Sequence, residues 1–121
     1  MKVAHTFCMA ALLSLMTIAP ALAECIYPKK PDDPPNGAKA TKEEMITAMK
    51  ATRQFDADVK AYQACLDMET ETILNSLGDK ATPEEIKRVK DKQSLKATAA
   101  YEDAARVAEA FNAQLRAFKS K

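Results

Sequence analysis

Two helix-start signals, each followed by a long uninterrupted stretch, constrain the fold of this chain more than any other feature. Capping boxes occur at residues 41–44 (TKEE) and 82–85 (TPEE). In a capping box, the threonine hydroxyl and the glutamate carboxylate each accept a hydrogen bond from the other residue's amide. No proline or glycine follows the first box until Gly78, which suits a helix C-terminus. The spacing predicts helices over about 41–77 and 82–118.

The connection between these helices is only a few residues long, so the helices should be antiparallel neighbours. Apolar residues support this pairing, because they recur at heptad spacing in both segments. In the first segment they are Met45, Thr52, Val59, Leu66 and Ile73, and in the second Ala97, Tyr101, Ala104, Ala108, Phe111, Leu115 and Phe118. Gln93 and Lys96 interrupt the second stripe, where bending or fraying is expected. The sequence predicts an all-α, coiled-coil-like hairpin.

The first 23 residues have the features of a signal peptide. Lys2 precedes a short apolar run, and the sequence ALA at 21–23 fits a cleavage site after Ala23. Cleavage would remove the only histidine, His5, together with Cys8. We therefore expect a periplasmic or secreted protein that begins at Glu24.

Cys25 and Cys65 are the only cysteines of the expected mature chain. In an oxidising compartment, an intramolecular disulfide is the natural pairing, while two free thiols or an intermolecular bridge are the alternatives. The pairing is geometrically feasible. Cys65 lies about 36 Å along the helix from Thr41, and the intervening segment from Cys25 can extend over about 50 Å.

Residues 24–40 form a proline-rich leader, which should be extended and then turned. If the disulfide forms, the leader folds back along the first helix, where Tyr27 and Pro28 can cover part of the apolar seam. A dimer with a four-helix arrangement would cover the same surface instead. The sequence does not choose between these two arrangements.

Charge excludes some classes of partner. Removing Lys2 from the 18 basic residues leaves 17, which balance the 17 acidic ones. A mature chain without net charge gives no electrostatic reason to expect nucleic acid or strong binding to an anionic membrane. Its length suits one small domain.

The spacing of cysteine and proline in the leader, with the motif YQACL at 62–66, resembles a group of small exported proteobacterial proteins without an assigned activity. The leader motif is CIYP at 25–28, followed by Pro31 and by PPNG at 34–37. The resemblance covers about half of the mature chain. It implies a signal peptide, a proline-rich leader and a disulfide, and it implies no function.

No motif for catalysis or cofactor binding is present in the mature chain, so we expect no enzyme, no cofactor and no metal centre. It lacks histidine, and its glycines are isolated. Acids two residues apart, at Asp56/Asp58 and Glu69/Glu71, lie on different sides of a helix and should face solvent. The thioethers of Met45 and Met49 share a face and offer a distant possibility of Cu(I) binding, but they lie on the apolar stripe, which favours core packing.

By elimination and by shape, the sequence predicts a non-enzymatic helical module that binds another protein or itself. The expected interface residues are Tyr101, Phe111, Leu115 and Phe118, because a seam that extends beyond its partner leaves them partly exposed. The alternative is an envelope-associated module whose amphipathic helices dock on lipid or cell wall.

Overall fold

A computed structural model describes residues 24–121, and the predicted signal peptide at 1–23 lies outside the described residues. Helix α1 spans Lys42–Leu77 and helix α2 spans Pro83–Lys119, with a 3₁₀ turn at Gly78–Lys80 between them. Both helices agree with the predicted bounds to within one residue. No strand occurs between residues 24 and 121. The predicted all-α hairpin is confirmed.

Both capping boxes form as the sequence predicts. The amide of Glu44 donates to the Thr41 hydroxyl at 3.2 Å, and the amide of Thr41 donates to the Glu44 carboxylate at 2.7 Å. Thr82 and Glu85 make the same pair of bonds at the start of α2. These bonds stabilise the ionised carboxylates and lower the pKa of both glutamates. Each helix start is therefore fixed by its own first turn.

The core contains two groups of side chains, one around the middle of the hairpin and one at the end away from the 3₁₀ turn. In the larger group, Ala100 of α2 is completely buried against large side chains of α1. The members from α1 are Phe55, Val59, Tyr62 and Leu66. The smaller group consists of Ala40, Met45 and Phe111. Large residues on α1 opposite alanines on α2 let the helices approach closely.

The buried stripe of α2 differs from the predicted one by a small rotation. Ala100 and Val107 face the core, whereas Tyr101, predicted to lie in the seam, is 66% exposed. The leader packs on the flank of α2 that carries Asp103 and Val107, on the side away from Tyr101. The expected fraying near Gln93 does not occur, because α2 is continuous there and Gln93 is buried.

The leader crosses both helices in an extended conformation. A disulfide joins Cys25 to Cys65 of α1, with Cα atoms 5.8 Å apart, which confirms the predicted intramolecular pairing. Next to it, the ring of Tyr27 packs edge-on against Tyr62, with centroids 5.3 Å apart. At the other end, the amide of Gly37 donates to Gln114 Oε1 of α2 at 2.9 Å. The leader therefore covers part of the seam, as expected for Tyr27.

We expect the disulfide to contribute strongly to stability. The bond closes a loop with a sequence separation of 40, and the chain-entropy model gives about 4 kcal/mol for a loop of this size. Replacing both Cys25 and Cys65 with serine should lower the free energy of unfolding by that order, as measured by urea denaturation followed by circular dichroism. Wild-type protein under reducing conditions should match the double variant. Equal stability of the oxidised protein and the variant would contradict the prediction.

Gly37 should not tolerate a side chain. A Cβ at this position would overlap the backbone carbonyl oxygen of Gln114 and would lie 2.9 Å from the amide nitrogen of Phe118. Gly37→Ala should therefore lower the free energy of unfolding by about 1–3 kcal/mol, the usual range for overpacking. Lys39→Ala, at an exposed position of the same turn, is the control and should change stability little. A Gly37→Ala protein as stable as this control would show that the contact is not tight.

Candidate functional site

The most concentrated set of charged contacts lies where the leader crosses α2, around the carboxylate of Asp103. This residue is only 8% exposed. The Tyr27 hydroxyl donates to Asp103 Oδ2 at 2.7 Å, and the guanidinium of Arg106 donates to Oδ1. The Lys30 ammonium lies 3.4 Å from the same Oδ1 atom. Both oxygens of a buried carboxylate are therefore satisfied, as burial of a charge requires.

These contacts fix the protonation states of the site. The hydrogen bonds from Tyr27 and Arg106 lower the pKa of Asp103 from 3.8 to about 2. Burial and the bond to Asp103 raise the pKa of Tyr27 to about 12. At neutral pH, Asp103 is therefore ionised and Tyr27 carries its proton.

The low pKa of Asp103 also makes the contact sensitive to acid. Its folded-state pKa lies below the ordinary value of 3.8. A carboxylate of this kind stabilises the fold at pH values above its unfolded pKa, and this contribution is lost as the pH falls towards the folded value. The attachment of the leader to α2 should therefore be complete from mildly acidic pH upwards and should weaken between about pH 4 and pH 2.

A groove of about 280 Å³ opens beside this cluster, between the leader and the two helices. Its walls combine the cations of Lys30 and Arg106 with the carboxylates of Asp32, Asp33 and Asp103. Charges of both signs line the same small space, so the groove does not favour a ligand of one charge. The cluster is best described as the polar attachment of the leader.

A second polar contact joins the helices nearer the turn. Gln93 donates from Nε2 to Glu69 Oε2 at 3.0 Å, and the Lys96 ammonium lies 3.7 Å from the same oxygen. The expectation that Glu69 faces solvent is wrong, because its side chain is 16% exposed. Gln93 Oε1 is buried and accepts no hydrogen bond from residues 24–121. The contact between the helices is therefore polar at Glu69 and Gln93, whereas the two core groups further from the turn are apolar.

A different groove lies on the flank of the hairpin that the leader leaves open. It measures about 230 Å³, and none of its lining residues belongs to the leader. Its lining on α1 is mostly polar, with Asp56, Lys60 and Gln63 beside Val59, and small side chains form its lining on α2 together with the exposed Tyr101. The small residues are Ala104, Ala105 and Ala108. A groove of this kind lets another helix approach closely.

Three of the four predicted interface residues lie together, and Tyr101 lies apart from them. The expected partial exposure of Phe111 is wrong, since this ring is 7% exposed and packs with Ala40 and Met45. Leu115 and Phe118 pack against the same group and are partly buried, so they keep part of the expected exposure. Tyr101 is 66% exposed and is the most accessible of the four.

The methionine pair considered for Cu(I) lies in the same region. Met45 is 4% exposed within the core group, and Met49 packs partly buried against it. Both thioethers therefore serve as apolar packing in this structure. Between residues 24 and 121, no group of three or more histidine, cysteine or acidic side chains is arranged to hold a metal ion.

Sequence reasoning missed two residues that attach the leader. Asp103 lies three residues after Ala100 and four before Val107, which places it on the same face of α2. A carboxylate on this face could have indicated a buried polar contact. Gly37 gave only the signal of an Asn-Gly turn. Its packing against α2 could not be read from the sequence, because it depends on where the leader crosses the helix.

No family model matches the chain, and neither a curated protein nor a solved structure shows significant similarity to it. Within the described range, neither helix combines the length and the apolar character that crossing a membrane requires.

The hydrogen bond from Tyr27 to Asp103 should contribute measurably to stability. Tyr27→Phe removes the hydroxyl while keeping the ring against Tyr62, and it should lower the free energy of unfolding by about 1–3 kcal/mol, since the acceptor is charged and buried. The control is Tyr101→Phe at an exposed tyrosine, which should have little effect. Denaturation at neutral pH and at about pH 2 provides the measurement; the difference between wild type and Tyr27→Phe should shrink in acid. A difference independent of pH would contradict the role of ionised Asp103.

Proposed function

We propose that this protein is a non-enzymatic helical hairpin that is exported to the periplasm or secreted. In this proposal, cleavage after Ala23 releases the mature chain, and the hairpin binds a helical segment of another protein or of a second copy. The binding surface is the open groove beside Tyr101. One observation carries the proposal: an exposed aromatic ring stands at the edge of a groove lined by alanines, on the flank that the leader does not cover.

The chemistry of this groove supports protein binding. Tyrosine is enriched in protein interfaces, because its ring buries a large area while its hydroxyl keeps a polar contact. The adjacent alanines lose almost no side-chain entropy when they are covered. Exposed charges on α1, Asp56 and Lys60, also line the groove and form an ion pair with each other at 2.7 Å. Polar and apolar side chains together are typical of a protein-binding surface.

The remaining features of the molecule are compatible with this role. A Cys25–Cys65 disulfide suits an oxidising compartment. The most polar cluster, around Asp103, has its oxygens occupied by the leader and by Arg106, and its pKa values lie far from neutrality. These observations favour a binding module over a catalyst.

The groove can be tested by placing a charge at its edge. Tyr101→Arg should weaken self-association, or binding to a partner cross-linked in an envelope extract, by at least about tenfold, because an interface anchor of this type typically contributes 2 kcal/mol or more. The matched control is Met68→Arg, since Met68 is 63% exposed and does not line the groove. Sedimentation equilibrium measures self-association, and titration of the purified partner measures binding.

Three outcomes decide the proposal. Loss of binding in Tyr101→Arg and its retention in Met68→Arg would support it. Equal binding by both variants would show that the groove is not the interface. Flotation of the mature protein with liposomes would favour docking on lipid instead.

A further inference from the structure

The bend of the leader contains the sequence Asn36-Gly37, which is chemically reactive in flexible chains. The backbone nitrogen of a residue after asparagine can attack the asparagine side-chain carbonyl. Glycine allows this attack most readily, because it has no side chain to hinder the approach and its backbone is the least restricted. The reaction therefore depends on how freely this dipeptide can move.

The docked leader restrains every group that the reaction needs. The attacking nitrogen, that of Gly37, donates its hydrogen to Gln114 Oε1 at 2.9 Å. Gly37 itself is buried, and its Cα packs directly on the backbone of α2. The side-chain oxygen of Asn36 accepts from the amide of Ala38 at 3.0 Å, and its backbone oxygen accepts from the amide of Ala40 at 2.8 Å. The bend is thus held by both its own hydrogen bonds and those to α2.

We infer that Asn36 is a deamidation site whose reactivity is controlled by docking of the leader on α2. When the leader leaves α2, the Gly37 nitrogen loses its proton and attacks Asn36 Cγ. The new C–N bond closes a succinimide while the Cγ–Nδ2 bond breaks and ammonia departs. Water then opens the ring at either carbonyl, giving aspartate or isoaspartate. No electron transfer takes place, and water is the only co-reactant.

Of the two products, isoaspartate would prevent the leader from docking again in its original register. Isoaspartate carries the main chain through its side-chain carbon, so the backbone gains one methylene group immediately before Gly37. The Gly37 amide would then be displaced from Gln114 Oε1, and the glycine from its close contact with α2. The modification would therefore convert a temporary release of the leader into a permanent one.

The protection can be measured by incubating the mature oxidised protein at mildly alkaline pH and mapping its peptides by mass spectrometry with isoaspartate detection. If the reaction requires undocking, its rate falls in proportion to the population of the undocked state. Asn36 should therefore react at least about tenfold more slowly in folded protein than in urea-unfolded protein, which corresponds to an opening free energy of at least about 1.4 kcal/mol. Asn75 and Asn112, within the helices and not followed by glycine, are internal controls and should react more slowly than Asn36 when unfolded.

Two variants test the role of the contact to α2. Gln114→Ala removes the acceptor for the Gly37 amide and should accelerate the reaction of Asn36 in the folded protein. Gln114→Glu retains an acceptor oxygen and should react at nearly the wild-type rate. Equal rates for folded and unfolded wild type, or no acceleration in a folded Gln114→Ala protein, would overturn the inference. If Gln114→Ala does not fold, the inference is tested by the wild type alone, in which Asn36 must react at least about tenfold more slowly when folded than when unfolded.

Discussion

The attachment of the leader across both helices is the interaction on which the rest of the structure depends. Two helices alone make a thin core, and the leader adds a third layer over the half that contains the buried apolar side chains. It is bonded covalently to α1 through Cys25 and by hydrogen bonds to α2 through Tyr27 and Gly37. Because these contacts reach both helices, the leader fixes their separation as well as their exposure to water.

The position of the leader also determines which surfaces remain for other molecules. It occupies the flank of α2 around Asp103, where its Tyr27 hydroxyl and Lys30 ammonium donate to that carboxylate. The opposite flank keeps a groove with an exposed tyrosine. The orientation of α2 that packs Val107 partly buried against the core also turns Tyr101 outwards. The docking of the leader and the proposed binding surface are thus both consistent with this one orientation of α2.

Local signals predicted the helices and their ends, because capping boxes and the hairpin turn act within a few residues of the chain. The disulfide was also predictable, since Cys25 and Cys65 are the two cysteines of residues 24–121 and allow a single intramolecular pair. The exact face of α2 was not predictable. It depends on where the leader packs, and the leader sequence has no heptad repeat from which this could be read. Heptad spacing therefore allowed a buried face with Tyr101 as well as one with Ala100. The role of Asp103 likewise depends on partners more than 70 residues away in sequence.

The polar seam near the turn has a consequence for how the molecule moves. Within residues 24–121, the buried apolar side chains lie between Ala40 and Leu66 and between Ala100 and Phe111, whereas Gln93, on the turn side of Ala100, is buried with a carbonyl oxygen that accepts no hydrogen bond from these residues. Local opening requires the least free energy where few apolar contacts are broken. Amide hydrogen exchange should therefore form a gradient along the hairpin, with the tip exchanging through low-energy local openings and the core between Phe55 and Leu66 exchanging most slowly.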